Sequence, residues 1–506
     1  VMPRSNLNRR SFLKRAGLLG GAAGWAALTP GCASSSTSPT GARTVTGRVT
    51  SPSGGVPNVR ITDGLSVVQT NADGAFRLPA DARQPFVYMA VPSGYRIPQH
   101  ETGTARFFQP LTDAPEQTAM FELEPRATDS TRHAFLVVAD PQTEDDYEME
   151  RFQSETVPAV QSTVAALGDV PVFGVGNGDL MFDDLTLFPE YERAVQRMDV
   201  PFFQVVGNHD LNFDSPAHRG AYQTFRDHFG PGYYAFNRGD VHYIVLNNVY
   251  WPGQDGFGRD TDSYLGHLPD RQLLWLANDL STVSLDRPVV VFAHIPMLST
   301  LYERRGDERP STRDMTVNRS ALYRMLEPFV EAHIISGHTH ESEHRNHANV
   351  HEHVVGAACG AWWTGPVSRD GTPPGYAVYE VEGADISWRY QSTDYDADHQ
   401  MRLYKPGADP ERPDQVIANV WDADDRWRIT WYENGHEQGT MQAYVGTDPQ
   451  AEALYGGSDQ PARRTWVSPV PTAHLYAATP SSEATEVTVE ATDRFGRTYT
   501  ETLRLT

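Results

Sequence analysis

The chain has 506 residues, more than one ordinary core holds, so two to four domains are expected. Hydrophobic residues at 39% and ten tryptophans exclude a disordered chain, and a formal charge of −23 argues against nucleic acid and anionic membranes as main partners. Two cysteines, Cys32 and Cys359, exclude a disulfide framework, and no apolar run reaches the ~20 residues that a membrane-spanning helix needs. Lysine is nearly absent, with Lys14 and Lys405 only, a pattern that salt adaptation and a GC-rich genome both produce.

Residues 1–32 read as an export address. Arg9 and Arg10 precede "SFLK", and the Gly/Ala-rich stretch "AGLLGGAAGWAAL" leads to Cys32. The order basic, apolar, small is the one an export signal needs. The paired arginines resemble a twin-arginine (Tat) signal, which implies an extracytoplasmic protein, in the periplasm or at the cell surface. The glycines disfavour the competing reading, a basic amphipathic helix. Cys32 after Gly31 is a candidate lipidation site and membrane tether. Thr29 and Pro30 depart from the usual lipoprotein pattern, and plain cleavage stands as the alternative. Loss of residues 1–31 removes five positive and no negative charges, taking the net charge from −23 to −28. Residues 33–42, Ser-rich, read as a flexible linker.

Three folded regions follow. In residues 43–126 short β-branched runs alternate with "PSGG", "TDG" and "NADG", the spacing of a small all-β sandwich. This text resembles transthyretin-like, carboxypeptidase-regulatory-like modules and carries no catalytic constellation. In residues 132–395 apolar runs ("HAFLVVAD", "VPVFGVGNGD", "PFFQVVGNHD", "VHYIVLNN", "RPVVVFAHIP", "AHIISGHTH") alternate with helical patterns. "DRQLLWLANDL" puts Leu273, Leu276, Ala277 and Leu280 on one helical face, with Pro288 opening the next strand. Residues 396–506 return to short β runs and end in an alternating hairpin turned by "DRFGR". The expected fold is multidomain: an α/β core of layered β-sandwich flanked by helices, an N-terminal all-β sandwich module and a C-terminal β-rich module.

The strand ends of the middle region carry the chemistry. Five apolar runs end in Asp140 and Gln142, in Asn177 and Asp179, in Asn208, His209 and Asp210, in His294, and in His338 and His340. In open α/β sheets ligands bind outside the carboxyl ends of strands, so these side chains are expected at one rim. Carboxylates, imidazoles and amide oxygens together suit borderline divalent ions, and two such ions activate a water and clamp a phosphoryl group. Glycines before Asp179, Asn208 and His338 allow sharp turns and close backbone approach.

The ordered set D-x-Q, GD, GNHD, AHIP, GHTH resembles the calcineurin-like metallophosphoesterase superfamily, over roughly residues 132–395. "FGPGYYAFNRGDVHYIVLNN" and "GAACGAWWTGP" followed by "DGTPPGY" extend the likeness. The flanking regions resemble modules of one bacterial branch. The resemblance implies two divalent metal ions (Mn, Fe or Zn). It assigns Asp140, Gln142, Asp179 and His340 to the first, and Asp179, Asn208, His294 and His338 to the second, with Asp179 bridging. Gln142 stands where most of the superfamily has histidine. A hydroxide held between the ions attacks phosphorus in line, His209 stabilises the charge and protonates the leaving oxygen, and Asp210 orients His209. Export of a folded, metal-loaded enzyme suits a Tat signal.

Other residues carry weaker expectations. Trp362 and Trp363 are candidate pocket walls beside "DGTPPGY", and Asp183, with Asp184, a candidate rim residue. His344, His347, His351 and His353 alternate along a strand and are expected as surface-strand residues rather than ligands. Cys359 is expected to be a buried small residue, and "YERRGDERPSTRD" a lid or an exposed loop. The implied substrate is a small-molecule, glycan or lipid phosphoester, mono- or diester, with no nucleic-acid-binding scaffold role. A binding or scaffold protein on the same fold, and a dimetal hydrolase of another bond, are the competing readings. The intact ligand set favours hydrolysis.

Overall fold

The computed structural model describes residues 43–126, 131–253, 264–458 and 460–505. The export signal, the linker and Cys32 lie outside the described residues. Among the described residues no helix is long and apolar enough to cross a membrane.

The N-terminal part forms two four-stranded sheets. Arg43–Ser51 lies between Ala75–Ala80, antiparallel, and Glu116–Glu122, parallel. Its alternation turns Val45 and Val49 inward, where they meet Ile61, Leu78, Val87 and Phe121.

Among the described residues the two large sheets of the middle part take eleven strands: β1 (Arg132–Val138), β2 (Val172–Asn177), β3 (Phe202–Val205), β4 (Tyr234–Arg238), β5 (Val241–Val245), β6 (Val289–Phe292), β7 (Ala332–Ser336), β8 (Glu343–His347), β9 (Val350–Val354), β10 (Gly375–Glu382) and β11 (Asp385–Ser392). They form a five-stranded sheet ordered β3-β2-β1-β10-β11 and a six-stranded sheet ordered β4-β5-β6-β7-β9-β8. The site-bearing strands β1–β3 run parallel, as do β5, β6, β7 and β9. Such strands are covered on both faces, which is why "VVVF" of β6 is wholly buried rather than alternating.

Between the sheets Phe135, Val137, Phe173, Tyr243, Phe292, Ile335 and Tyr379 interlock, with Phe135 stacked on Tyr379 at 4.5 Å. This core continues into the N-terminal module through Phe107, 4.4 Å from Tyr234. The outer face of the first sheet packs on helices α1 (Val157–Leu167) and α2 (Phe188–Arg197). That of the second packs on α3 (Asp270–Leu280) and α4 (Ser320–Leu326). The buried face of α3 is rotated from the expected one. Trp275, Leu276 and Leu280 are buried while Leu273 and Ala277 sit at the edge, because the indole claims the centre of the contact.

Register aligns the functional strand ends. Gly176 of β2 sits opposite Val138 of β1, Asn177 opposite Val205 of β3, and Phe292 of β6 opposite Ile335 of β7. The polar residues that follow each run therefore leave both sheets at one edge.

The C-terminal part adds two four-stranded sheets around Val416, Val420, Ile429, Val487 and Val489. It ends in the hairpin Glu486–Thr492 and Thr498–Arg504, turned over Asp493–Arg497.

One expectation fails on burial. Of the four alternating histidines only His347 is exposed; His351 and His353 are buried, and the His344 side chain is 4% exposed. β9 is an inner strand between β7 and β8, and Trp388 of β11 covers the face that His351 and His353 share. The C-terminal module closes it with Asp422 and Arg494.

Candidate metal centre

Each strand end turns abruptly after its apolar run. Asp140, Gln142, Asp179, Asp183, His338 and His340 all have φ between 42° and 74°, a left-handed conformation that ordinary side chains rarely adopt. Trp362 and Trp363 share it, at 51° and 59°. Such strain costs on the order of 1–3 kcal/mol per residue and persists where the surrounding fold imposes it, typically at functional sites.

The seven expected ligands converge. Asp179 lies at the middle: its Oδ1 is 3.2 Å from His294 Nε2 and its Oδ2 is 3.2 Å from Gln142 Nε2. On one side Asp140 Oδ1 is 3.7 Å from His340 Nε2. On the other, His294 Nε2 is 3.1 Å from Asn208 Oδ1 and 3.2 Å from His338 Nδ1. The potential ligand atoms of Asp179, His294 and His338 lie within 4.8 Å of one another.

Backbone groups aim these side chains. Asn177 O holds His294 Nδ1 at 3.0 Å and Gly360 O holds His340 Nδ1 at 3.0 Å, which turns both Nε2 atoms toward the centre. The His338 N–H donates to Asp140 at 2.9 Å, and the His209 N–H to Asp179 Oδ1 at 2.8 Å. The donor set fits divalent ions on a direct observation: Gln142 Oε1 is buried and has no hydrogen-bond partner, a neutral oxygen left for a cation.

Close packing demands glycine beside these groups. A Cβ on Gly207 would lie 1.8 Å from the Asp179 backbone nitrogen and 2.3 Å from its Oδ1, and one on Gly337 would lie 2.3 Å from Asp140 Oδ2. Gly207→Ala is expected to destabilise the fold by at least about 1–3 kcal/mol and to lower bound metal. Urea unfolding with metal analysis checks this, and a variant with wild-type values for both would contradict it.

Electrostatics follow the same geometry. Burial pushes the Asp140 and Asp210 carboxyls up. Burial also works against the Asp179 carboxylate, but His294 and His209 outweigh it and hold Asp179 below the usual range. Burial likewise opposes the charge on His294, yet Asp179 and Asp140 carry it up to about 9. Burial brings His338 and His340 down to about 3, which keeps them neutral and fit to ligate.

His209 is not oriented by Asp210. Its Nδ1 is 2.7 Å from Asp183 Oδ1, its ring stacks on Phe182 at 4.4 Å, and Asp179 and Asp183 raise its pKa against burial. Asp210 instead faces inward, where its carboxylate accepts the N–H groups of Gly207, Leu180 and Met181 at 2.8, 2.9 and 3.1 Å. It ties the β2 and β3 turns together. Leu180 and Met181 follow Asp179 so closely that their amides reach Asp210 first. Asp184 turns away and caps Thr186.

The two tryptophans part company. Trp362 stacks on His340 at 4.0 Å, whereas Trp363 is 2% exposed, donates its indole N–H to Pro141 O and packs on Phe152. Cys359 is buried, with Sγ 3.5 Å from His340 Nδ1. "YERRGDERPSTRD" begins in the short helix Leu301–Arg305, whose Arg304 is buried against Glu341 and Glu343; Asp307–Arg309 beyond it is exposed.

The C-terminal module reaches this edge, which the sequence reading missed. Arg464 lies over Phe182 at 4.6 Å, and Trp466, 54% exposed, packs on Trp362 at 4.7 Å. "RRTW" (463–466), a basic and aromatic cluster in an acidic chain, is the signal that pointed there.

Three family models match: the N terminal of calcineurin-like phosphoesterase over residues 43–126, calcineurin-like phosphoesterase over 133–342, and the C terminal of calcineurin-like phosphoesterase over 352–499. No curated protein matches the chain. Solved structures similar to it are distant. The purple acid phosphatase PPD1 from yellow lupin (Lupinus luteus) seeds is 12% identical with a TM-score of 0.39, over 67% of each chain. GAP50, the anchor in the inner membrane complex of Plasmodium, is 15% identical with a TM-score of 0.36, over 52% of this chain and 85% of that one. The phosphopantetheinyl hydrolase PptH of Mycobacterium tuberculosis is 12% identical with a TM-score of 0.28, over 45% of this chain and 91% of that one.

Proposed function

Because the chain belongs to the calcineurin-like phosphoesterase superfamily, and is on that ground a metal-dependent hydrolase of phosphoric esters, we propose that it hydrolyses phosphate mono- or diesters at a dinuclear centre outside the cytoplasm. Asp140, Gln142 and His340 hold one ion, Asn208, His294 and His338 the other, and Asp179 both. The observation that carries this reading is the position of Asp179, whose two oxygens reach Gln142 on one side and His294 on the other at 3.2 Å each. The twin-arginine-like start of the sequence supports export, and Cys32 is the proposed tether.

Two divalent ions bound there supply Lewis acidity and a water acidic enough to attack at neutral pH. The chain's own groups do the rest. Asp183 accepts a hydrogen bond from His209 Nδ1–H, which leaves Nε2–H to donate to a phosphoryl oxygen and to pass its proton to the leaving oxygen. Phe182 fixes the plane of that ring from one face. A chain this acidic repels an anionic ester at long range, so attraction has to be local. Arg464 lies over Phe182 with its guanidinium paired to Glu144 and Glu148, and Trp362 with Trp466 offers an apolar wall to the leaving group.

Chelation is expected to abolish hydrolysis of 4-nitrophenyl phosphate or its bis-ester, and Mn, Fe or Zn to restore it. Initial rates on both esters test the reading and separate monoesterase from diesterase. Two bound ions without turnover of either ester would favour a scaffold or a different hydrolytic bond.

A further inference from the structure

The histidines of β7, β8 and β9 form a second cluster. His333 and His351 are cross-strand partners, and His353 lies two residues further along the same face. A ring nitrogen of each lies within 4.8 Å of those of the other two, and all three side chains are buried. His333 Nδ1 and His353 Nε2 are 3.0 Å apart. His344 packs beside them, its ring 5.3 Å from His351 and 5.1 Å from His353.

The outward nitrogens are held as ligating histidines are held. His333 Nε2 is 3.1 Å from Glu331 Oε1, and His344 Nε2 is 2.7 Å from Asp422 Oδ1. A carboxylate on one ring nitrogen fixes the N–H there and leaves a lone pair on the other. Independently, His344 Nδ1, His351 Nε2 and His353 Nδ1 are buried with no hydrogen-bond partner. Buried polar atoms are rarely left unsatisfied, so three in one cluster call for something that satisfies them. Burial, then the neighbouring imidazoles and Arg494, keeps His351 and His353 neutral, the form that binds metal.

We propose that His333, His351 and His353, with His344 closing the fourth side, form a separate metal site for one imidazole-preferring divalent ion of the zinc class. An all-nitrogen donor set suits zinc and disfavours magnesium or calcium. The site stands apart from the phosphoesterase centre: His333 is the second residue of β7, roughly 10 Å of strand before Ser336, and His338 lies in the turn beyond. It lies at the edge of the sandwich beneath Trp388 of β11, and is joined to the C-terminal module by His344 with Asp422 and by Arg494, 2.9 Å from His351 Nδ1. An ion there pins that module to the sandwich. Ligation through His351 Nε2 moves that ring's proton to Nδ1, and Arg494 then keeps its ion pair with Asp424 and its place over Trp388.

The proposal is independent of the phosphoesterase reading, and the test keeps them apart. The full chain carrying Asp179→Asn and His338→Ala is loaded with Zn²⁺, dialysed, and its metal counted by mass spectrometry. One retained zinc per chain and a higher Tm with zinc are expected. Adding His333→Gln and His353→Gln should bring the count to zero while cooperative unfolding persists. No retained ion with the histidines intact, or equal retention without them, would overturn the site. Should the histidine variant fail to fold, Co²⁺ loading of the first variant decides: visible bands of nitrogen-bound cobalt support the site, and the spectrum of aqueous cobalt alone overturns it.

Discussion

Asp179→Asn is expected to remove bound metal and hydrolysis together, with a loss of at least ~10³-fold in kcat/KM, about 4 kcal/mol of barrier. The Asp179 side chain reaches Gln142 in one half of the centre and His294 in the other, and its Oδ1 also accepts the His209 N–H at 2.8 Å. The amide is nearly isosteric but neutral. It lowers affinity for both ions at once and puts an NH2 group against either His294 or Gln142. Metal analysis and initial rates on one preparation check this. Normal bound metal in the variant would refute the shared-ligand role.

His209→Ala should behave differently, with turnover falling ~10²–10⁴-fold, the range for loss of a general acid, and metal content unchanged. His209 contacts the centre through its backbone N–H, which alanine retains, whereas its ring is held outward of the ligands by Asp183 and Phe182. Asp183→Asn is expected to cost ~10–100-fold, since Asp183 acts only through His209, by positioning its ring and raising its pKa. That loss should fall on kcat rather than KM and vanish in the His209→Ala background. A His209→Ala protein with wild-type turnover would remove this residue from the chemistry. Additive effects of the two substitutions would remove Asp183 from its positioning role.

The metallophosphoesterase core was legible in the sequence because strand ends write themselves as an apolar run, a small residue and a polar tip. "VVGNHD" and "IISGHTH" have that form, and register brings such tips to one edge without further information. Gly207 was legible for the same reason: only a missing Cβ lets Asp179 approach so closely. What failed needed knowledge of distant neighbours. Asp210 follows His209 in sequence, yet the turn after Asp179 offers it two amides and Gly207 a third, while Asp183 comes back to the imidazole from a loop that reads as merely acidic. The alternation in "VHEHV" gives a strand with two faces but does not say what covers them. Asp422 and Arg494, which cover one, arrive from a later module. Arg464 and Trp466 escaped notice likewise, since their link to the centre runs through Phe182 and Trp362.

Anomalous scattering from crystals of the full chain loaded with Mn²⁺ or Zn²⁺ tests the central claim most directly. The account predicts two peaks about 3.5–4 Å apart, one beside Asp140, Gln142 and His340, the other beside Asn208, His294 and His338, with Asp179 between them. A single peak at this edge of the sandwich, or two that do not share Asp179, would contradict it.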